Sequence, residues 1–163
     1  MLIEHETFTR ETGPPRGRSW DEAVFRWCNF ARLEIEGQTI GGALLGCELR
    51  GIDWYWGLFN TTLLAHTTFK SCVFRGTSFT QCEVIACRFE DCRFVLDNLQ
   101  GPCTFNSCMI VETVFDRCEF VVDNPRRAPV FVESRWYGCT QGGCSGLDGV
   151  FEPPRRPAGP SRC

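Results

Sequence analysis

The residues of this chain best equipped for chemistry are its thiols. Twelve cysteines stand among 163 residues, and in the stretch CEVIACRFEDCRFVLDNL, residues 82–99, Cys82, Cys87 and Cys92 recur at every fifth position. Three chemistries could use such a row. Zinc would need close C-x2–4-C pairs converging on one point, which a run of C-x4-C does not supply. A redox relay or disulfide set would need pairs brought within bonding range, for example Cys72 with Cys92. The third reading is packing: a thiol is a small, weakly polar filler. Thr62, Thr67, Thr77 and Thr113 fall in the same slot as the cysteines, which favours filler and leaves a thiol-based metal or redox protein as the lesser alternative.

Other reactive groups are sparse. The only histidines are His5 and His66, and His66 stands among Thr, Leu and Ala with no nucleophile implied beside it. Glu90–Asp91 is an adjacent acid pair whose side chains diverge on an extended strand. The glycine-rich stretches GQTIGG and QGGCSGLDG lack the strand–turn–helix setting and the lysine of a phosphate-binding loop. The expectation is therefore no enzyme, no cofactor and no metal.

What positions the thiols is a period of five. From Cys47 the chain reads CELRG IDWYW GLFNT TLLAH TTFKS CVFRG TSFTQ CEVIA CRFED CRFVL DNLQG, and after Pro102 it resumes as CTFNS CMIVE TVFDR CEFVV. The third residue of all fifteen units is apolar and nine of them are Phe, where an apolar fraction of 43% would give about six by chance. Helices repeat at 3.6 and strands at 2, so neither alone produces this pattern. The phase extends back through CNFAR, LEIEG and QTIGG, then slips by one residue around ALLG. After a further slip near Pro125–Pro129, Phe131, Trp136 and Phe151 return to the grid.

These units resemble the pentapeptide-repeat family, whose unit is a small residue, a polar one, Leu or Phe, and two more polar ones. The resemblance implies an all-β fold: a right-handed quadrilateral β-helix of about five to six coils, one unit per side. On that plan residues 1–27 are an N-terminal cap, 28–122 the β-helix, 123–151 an irregular coil or C-terminal cap, and 152–163, EPPRRPAGPSRC, a disordered tail. It also places successive cysteines on different sides of a coil.

A rod of this kind offers surfaces rather than a cleft, so the expected function is protein–protein contact. The best-understood members of the family shield bacterial type II topoisomerases such as DNA gyrase from inhibitors, with an acidic rod that resembles duplex DNA. This chain departs from them in carrying seven acidic and five basic residues between Leu58 and Val122. No long insertion between coils and no C-terminal dimerisation helix is expected. A scaffold rod for another protein is the alternative. The candidate contact residues are the outward aromatics Tyr55 and Trp56, the acids Glu90, Asp91 and Glu112, and the apolar pairs Val95–Leu96 and Val121–Val122, which occupy polar positions of the unit. A net charge of −3 announces neither nucleic acid nor membrane as a partner. The first residues, MLIEHETFTRETG, lack the charged and apolar regions of an export signal, and the expected location is the cytoplasm. The oligomeric state is left open by the sequence.

Overall fold

A computed structural model describes residues 1–13, 20–95, 104–121, 130–147 and 150–151. Among the described residues are twenty-four strands of two or three residues. Each regular strand is followed by a two-residue corner, so the chain turns about every five residues and closes a square. Four parallel sheets result. Face one stacks Leu2–Glu4, Val24–Arg26, Ala43–Leu45, Leu63–Ala65, Glu83–Ile85, Met109–Val111 and Arg135–Tyr137; face two runs from Thr7–Thr9 to Thr140–Gly142. Face three runs from Glu34–Glu36 to Glu119–Val121, and face four from Thr39–Ile40 to Phe131–Val132.

The period of five follows from this geometry. In a three-residue strand only the middle side chain points inward, and the middle residues are buried: Leu64, Phe69, Phe74 and Phe79 in one coil, Val84, Phe89, Phe94 and Phe105 in the next. Equivalent rings stack in register. Phe69, Phe89 and Phe115 lie 4.7 and 4.9 Å apart with planes within 4° of parallel. Phe59, Phe79 and Phe105 repeat at 4.5 Å. These intervals match the ~4.8 Å strand spacing, so one pitch satisfies both the backbone ladder and the aromatic core.

The first corner residue takes a left-handed conformation. Fifteen non-glycine residues have φ near +50°, among them Trp56, His66, Ala86 and Asp91, with glycines such as Gly46, Gly51 and Gly76 in equivalent places. Each costs about 1–2 kcal/mol in strain. The return is a backbone bond to the following coil, as from Trp56 N–H to the Arg75 carbonyl at 2.9 Å and from His66 N–H to the Ile85 carbonyl at 3.0 Å.

Residues 1–27, expected as a cap, carry three strands: Leu2–Glu4 pairs with Val24–Arg26, and Thr7–Thr9 with Asn29–Ala31. What closes the core here is Trp20, in a 3-10 turn over Trp20–Glu22, its ring against Phe25, Phe30 and Trp54. Within 123–151, strands at Phe131–Val132, Arg135–Tyr137 and Thr140–Gly142 continue the stack. Phe151 then covers Phe115, Phe131 and Trp136. The segment 152–163 lies outside the described residues.

The slip at ALLG is as read: Ile35 pairs with Trp54 and Ile40 with Phe59, a coil of nineteen residues. Gly42 makes it feasible, since a Cβ there would lie 1.9 Å from the Ala23 carbonyl oxygen. The slip at Pro102 is not a single residue. Phe79 pairs with Phe105, Val84 with Ile110, Phe89 with Phe115 and Phe94 with Phe120, a separation of twenty-six. Phe105 with Phe131 and Ile110 with Trp136 repeat it. Six extra residues therefore enter between Phe94 and Phe105, and six more between Phe120 and Phe131, both at the corner joining face three to face four. The expectation of no insertion between coils is corrected accordingly.

Candidate partner-binding surface

The cysteines come first because the repeat buries them. Cys47, Cys72, Cys82, Cys87, Cys92, Cys108 and Cys118 are all within 3% of full burial. Their thiols donate to backbone carbonyls of the neighbouring coil: Cys72 to Leu49 at 3.4 Å, Cys82 to Phe59, Cys92 to Phe69 and Cys108 to Phe79 at 3.3 Å. Hydroxyls take the same role, Thr67 donating to Leu44 at 3.0 Å and Thr113 to Val84 at 3.3 Å. The slot thus takes a small side chain with one polar hydrogen in most units, while Leu33, Ile52 and Gly57 fill it in three others. Burial pushes the Cys47 and Cys87 thiols up to about 11. Cys82 and Cys92 are raised too, by the hydrogen-bonded thiols of Cys108 and Cys118 and by burial. Cys108 and Cys118, the partners in those bonds, are lowered by Cys82 and Cys92. The raised thiols, held protonated, are poor nucleophiles and poor metal ligands.

The outward residues give each face its own chemistry. Face two carries ion pairs. Glu90 sits between Lys70, at 3.4 Å, and Arg88, whose guanidinium bonds it directly and lowers its pKa. At the next corner Arg117 grips both oxygens of Asp91, at 2.7 and 3.1 Å, which lowers the Asp91 pKa. Face three has Arg75–Asp53 at 3.1 Å and Arg93–Glu119 at 2.8 Å between adjacent coils. Exposed pairs of this kind add little stability each. They do neutralise the surface, so Glu90 and Asp91 are partly spent within the molecule. Glu112 does not join them: it occupies the corner after face one.

Tyr55 ends a strand of face three and Trp56 takes the left-handed corner beside it. Their rings stack at 5.0 Å and 14°, 42% and 52% exposed. Val95 and Val121 pair in register on the same face, with Arg75 between them and Tyr55. They are half-buried and stand immediately before the two insertions. Leu96 and Val122 lie outside the described residues.

Sequence reading misassigned one surface. Counting Pro102 as a single extra residue places Phe105 with Val84 and Ile110 with Phe89, whereas the true partners are Phe79 and Val84. With the sides restored, the outward residues of face one from the third row onward are Ala43, Leu45, Leu63, Ala65, Glu83, Ile85, Met109, Val111, Arg135 and Tyr137. Face four is uncharged over its middle rows, with Leu58, Asn60, Ser78, Thr80 and Asn106. Among the described residues, face one has the most apolar outside. The signal was legible at the two outward positions of every fourth unit, once the coil length was known.

Neither a protein-family model nor a curated protein matches the chain. Among solved structures, a trypsin-treated variant of QnrB1, a plasmid-mediated fluoroquinolone resistance protein, is similar with a TM-score of 0.57, 14% identity and 84% of each chain covered. A pentapeptide repeat protein (Rfr23) from the cyanobacterium Cyanothece 51142 is also found, at a TM-score of 0.29 and 9% identity over 88% of this chain and 86% of that one. Among the described residues, no helix is long and apolar enough to cross a membrane. The five-residue units, the four stacked faces and the structural match give this chain the right-handed quadrilateral β-helix fold of the pentapeptide-repeat proteins.

Proposed function

We propose that the chain is a cytoplasmic, non-catalytic protein-binding rod, and that its target is a type II topoisomerase which it shields from inhibitors. The observation that carries the target is the pair of six-residue insertions at one corner, set one coil apart. Some topoisomerase-protecting rods carry loop insertions between coils, and this chain has two, on a fold similar to that of a fluoroquinolone resistance protein. Tyr55, Trp56, Val95 and Val121 border the same face and are the proposed contact residues, together with Leu96 and Val122. Glu90, Asp91 and Glu112 contribute less, because two of them are engaged by Arg88, Lys70 and Arg117 and the third stands at another corner. The rod therefore acts through shape and its insertions more than through a DNA-like row of carboxylates.

The test is a gyrase supercoiling assay in the presence of a fluoroquinolone, with the purified protein titrated in. Rescue of supercoiling that is lost when residues 97–102 are deleted supports the reading. Absence of both rescue and inhibition over the titration removes gyrase as the target.

A further inference from the structure

Face one carries an inference that rests on the protein-binding reading but not on the topoisomerase. Its backbone ladder is complete within the sheet, so a partner can reach it only through side chains. The outward surface of face one has the composition of a covered sheet, yet no described element packs on it as a layer. Leu45, Leu63, Ile85 and Val111 are partly exposed, Met109 is 40% exposed and Tyr137 57%.

We infer that face one docks an amphipathic α-helix of a partner protein, with one basic side chain near the middle of its apolar stripe. Dimensions support the helix. The five rows from Ala43–Leu45 to Arg135–Tyr137 extend about 19 Å at the strand spacing, and three residues of strand are roughly 7–10 Å wide. That is the width of one helix and the length of about 13 helical residues. Charge supports the basic residue. Glu83 stands exposed between Leu63 and Met109 in register and makes no ion pair among the described residues. The other charge of these five rows, Arg135, stands two rows away beyond Met109, so the unpaired Glu83 carboxylate selects a partner cation and rejects an anion. A second copy fits worse: a two-fold contact centred on this face sets Glu83 near its own mate.

The probe is a fluorescein-labelled synthetic peptide of about 17 residues, with Leu, Ile and Ala at i, i+3, i+4 and i+7 and one central Lys on the same stripe. With the full-length protein the expected result is saturable one-to-one binding and a gain of helical circular dichroism. Glu83→Lys should weaken binding about tenfold, and a peptide with Glu in place of the Lys should recover it on that variant. Ile85→Lys should abolish binding, and Thr80→Lys on face four should leave it unchanged. Both Glu83 and Ile85 point outward, so native melting of each variant is the internal control. Equal affinity in Ile85→Lys, no recovery on charge exchange, or no binding at all overturns the inference. So does a concentration-dependent dimer that Ile85→Lys dissolves, which would give the face to a second copy.

Discussion

At the scale of single residues, two positions of the five-residue unit carry different constraints. The inward ring is irreplaceable in size. Phe89 touches Phe69, Phe74, Phe94, Phe105 and Phe115, so Phe89→Ala should cost about 3–5 kcal/mol in denaturant unfolding. The small slot is tolerant. Cys87 follows Thr67 and precedes Thr113 in its column, and Cys87→Thr should stay within about 1 kcal/mol of the parent. Alkylation followed by mass spectrometry should find Cys47 and Cys87 unmodified until denaturant is added, given thiols near 11. Rapid native labelling would revive the thiol-chemistry alternative. The Asp91–Arg117 contact has a defined pH signature. The folded pKa of Asp91 is depressed, so its contribution is present above the unfolded carboxylate value of about 3.9 and fades as pH falls through the folded one. Arg117→Ala should return the Asp91 titration to the ordinary range, read by carboxyl NMR shifts.

Between residue and molecule, the corner decides what can be inserted. Periodicity reports position modulo five, and one extra residue and six extra residues leave the same phase. That is why the core column was readable from sequence while the coil length was not. Phase alone marks Phe105 as inward, but counting Pro102 as the one extra residue sets it on face one instead of face four. The partner-binding surfaces inherited that error: Tyr55 and Trp56 survive it because they precede the insertion, whereas Glu112 is moved away from Glu90 and Asp91. The N-terminal strands were missed for a different reason. Ile3 and Phe8 keep a five-residue step, but the twenty-two residues separating Ile3 from Phe25 break the coil length. Deleting residues 97–102 joins CRFVL directly to CTFNS, an uninterrupted repeat. The stack should retain its β circular dichroism after that deletion, with any loss confined to partner protection. Gly42→Ala at the short coil is the opposite case. Its Cβ meets backbone rather than a side chain, and a melting point lowered by several degrees is expected.

The whole molecule is a one-dimensional stack in which each coil contacts only its neighbours. Damage should therefore remain local. Trp20→Ala removes the ring that closes the first coils, and hydrogen exchange should accelerate around Phe25 and Phe30 before it changes at Phe105. Uniform acceleration would instead mean that the stack opens as one unit. The two closing aromatics have a further consequence, for assembly rather than stability. A solenoid whose last coil has the cross-section of its first is a subunit of a filament, because head-to-tail contacts never close on themselves. Trp20 at one end and Phe151 at the other occupy the place where the next molecule's core would begin. Stripped of both rings, the rod would present matched apolar ends, and light scattering should record fibres growing along its axis.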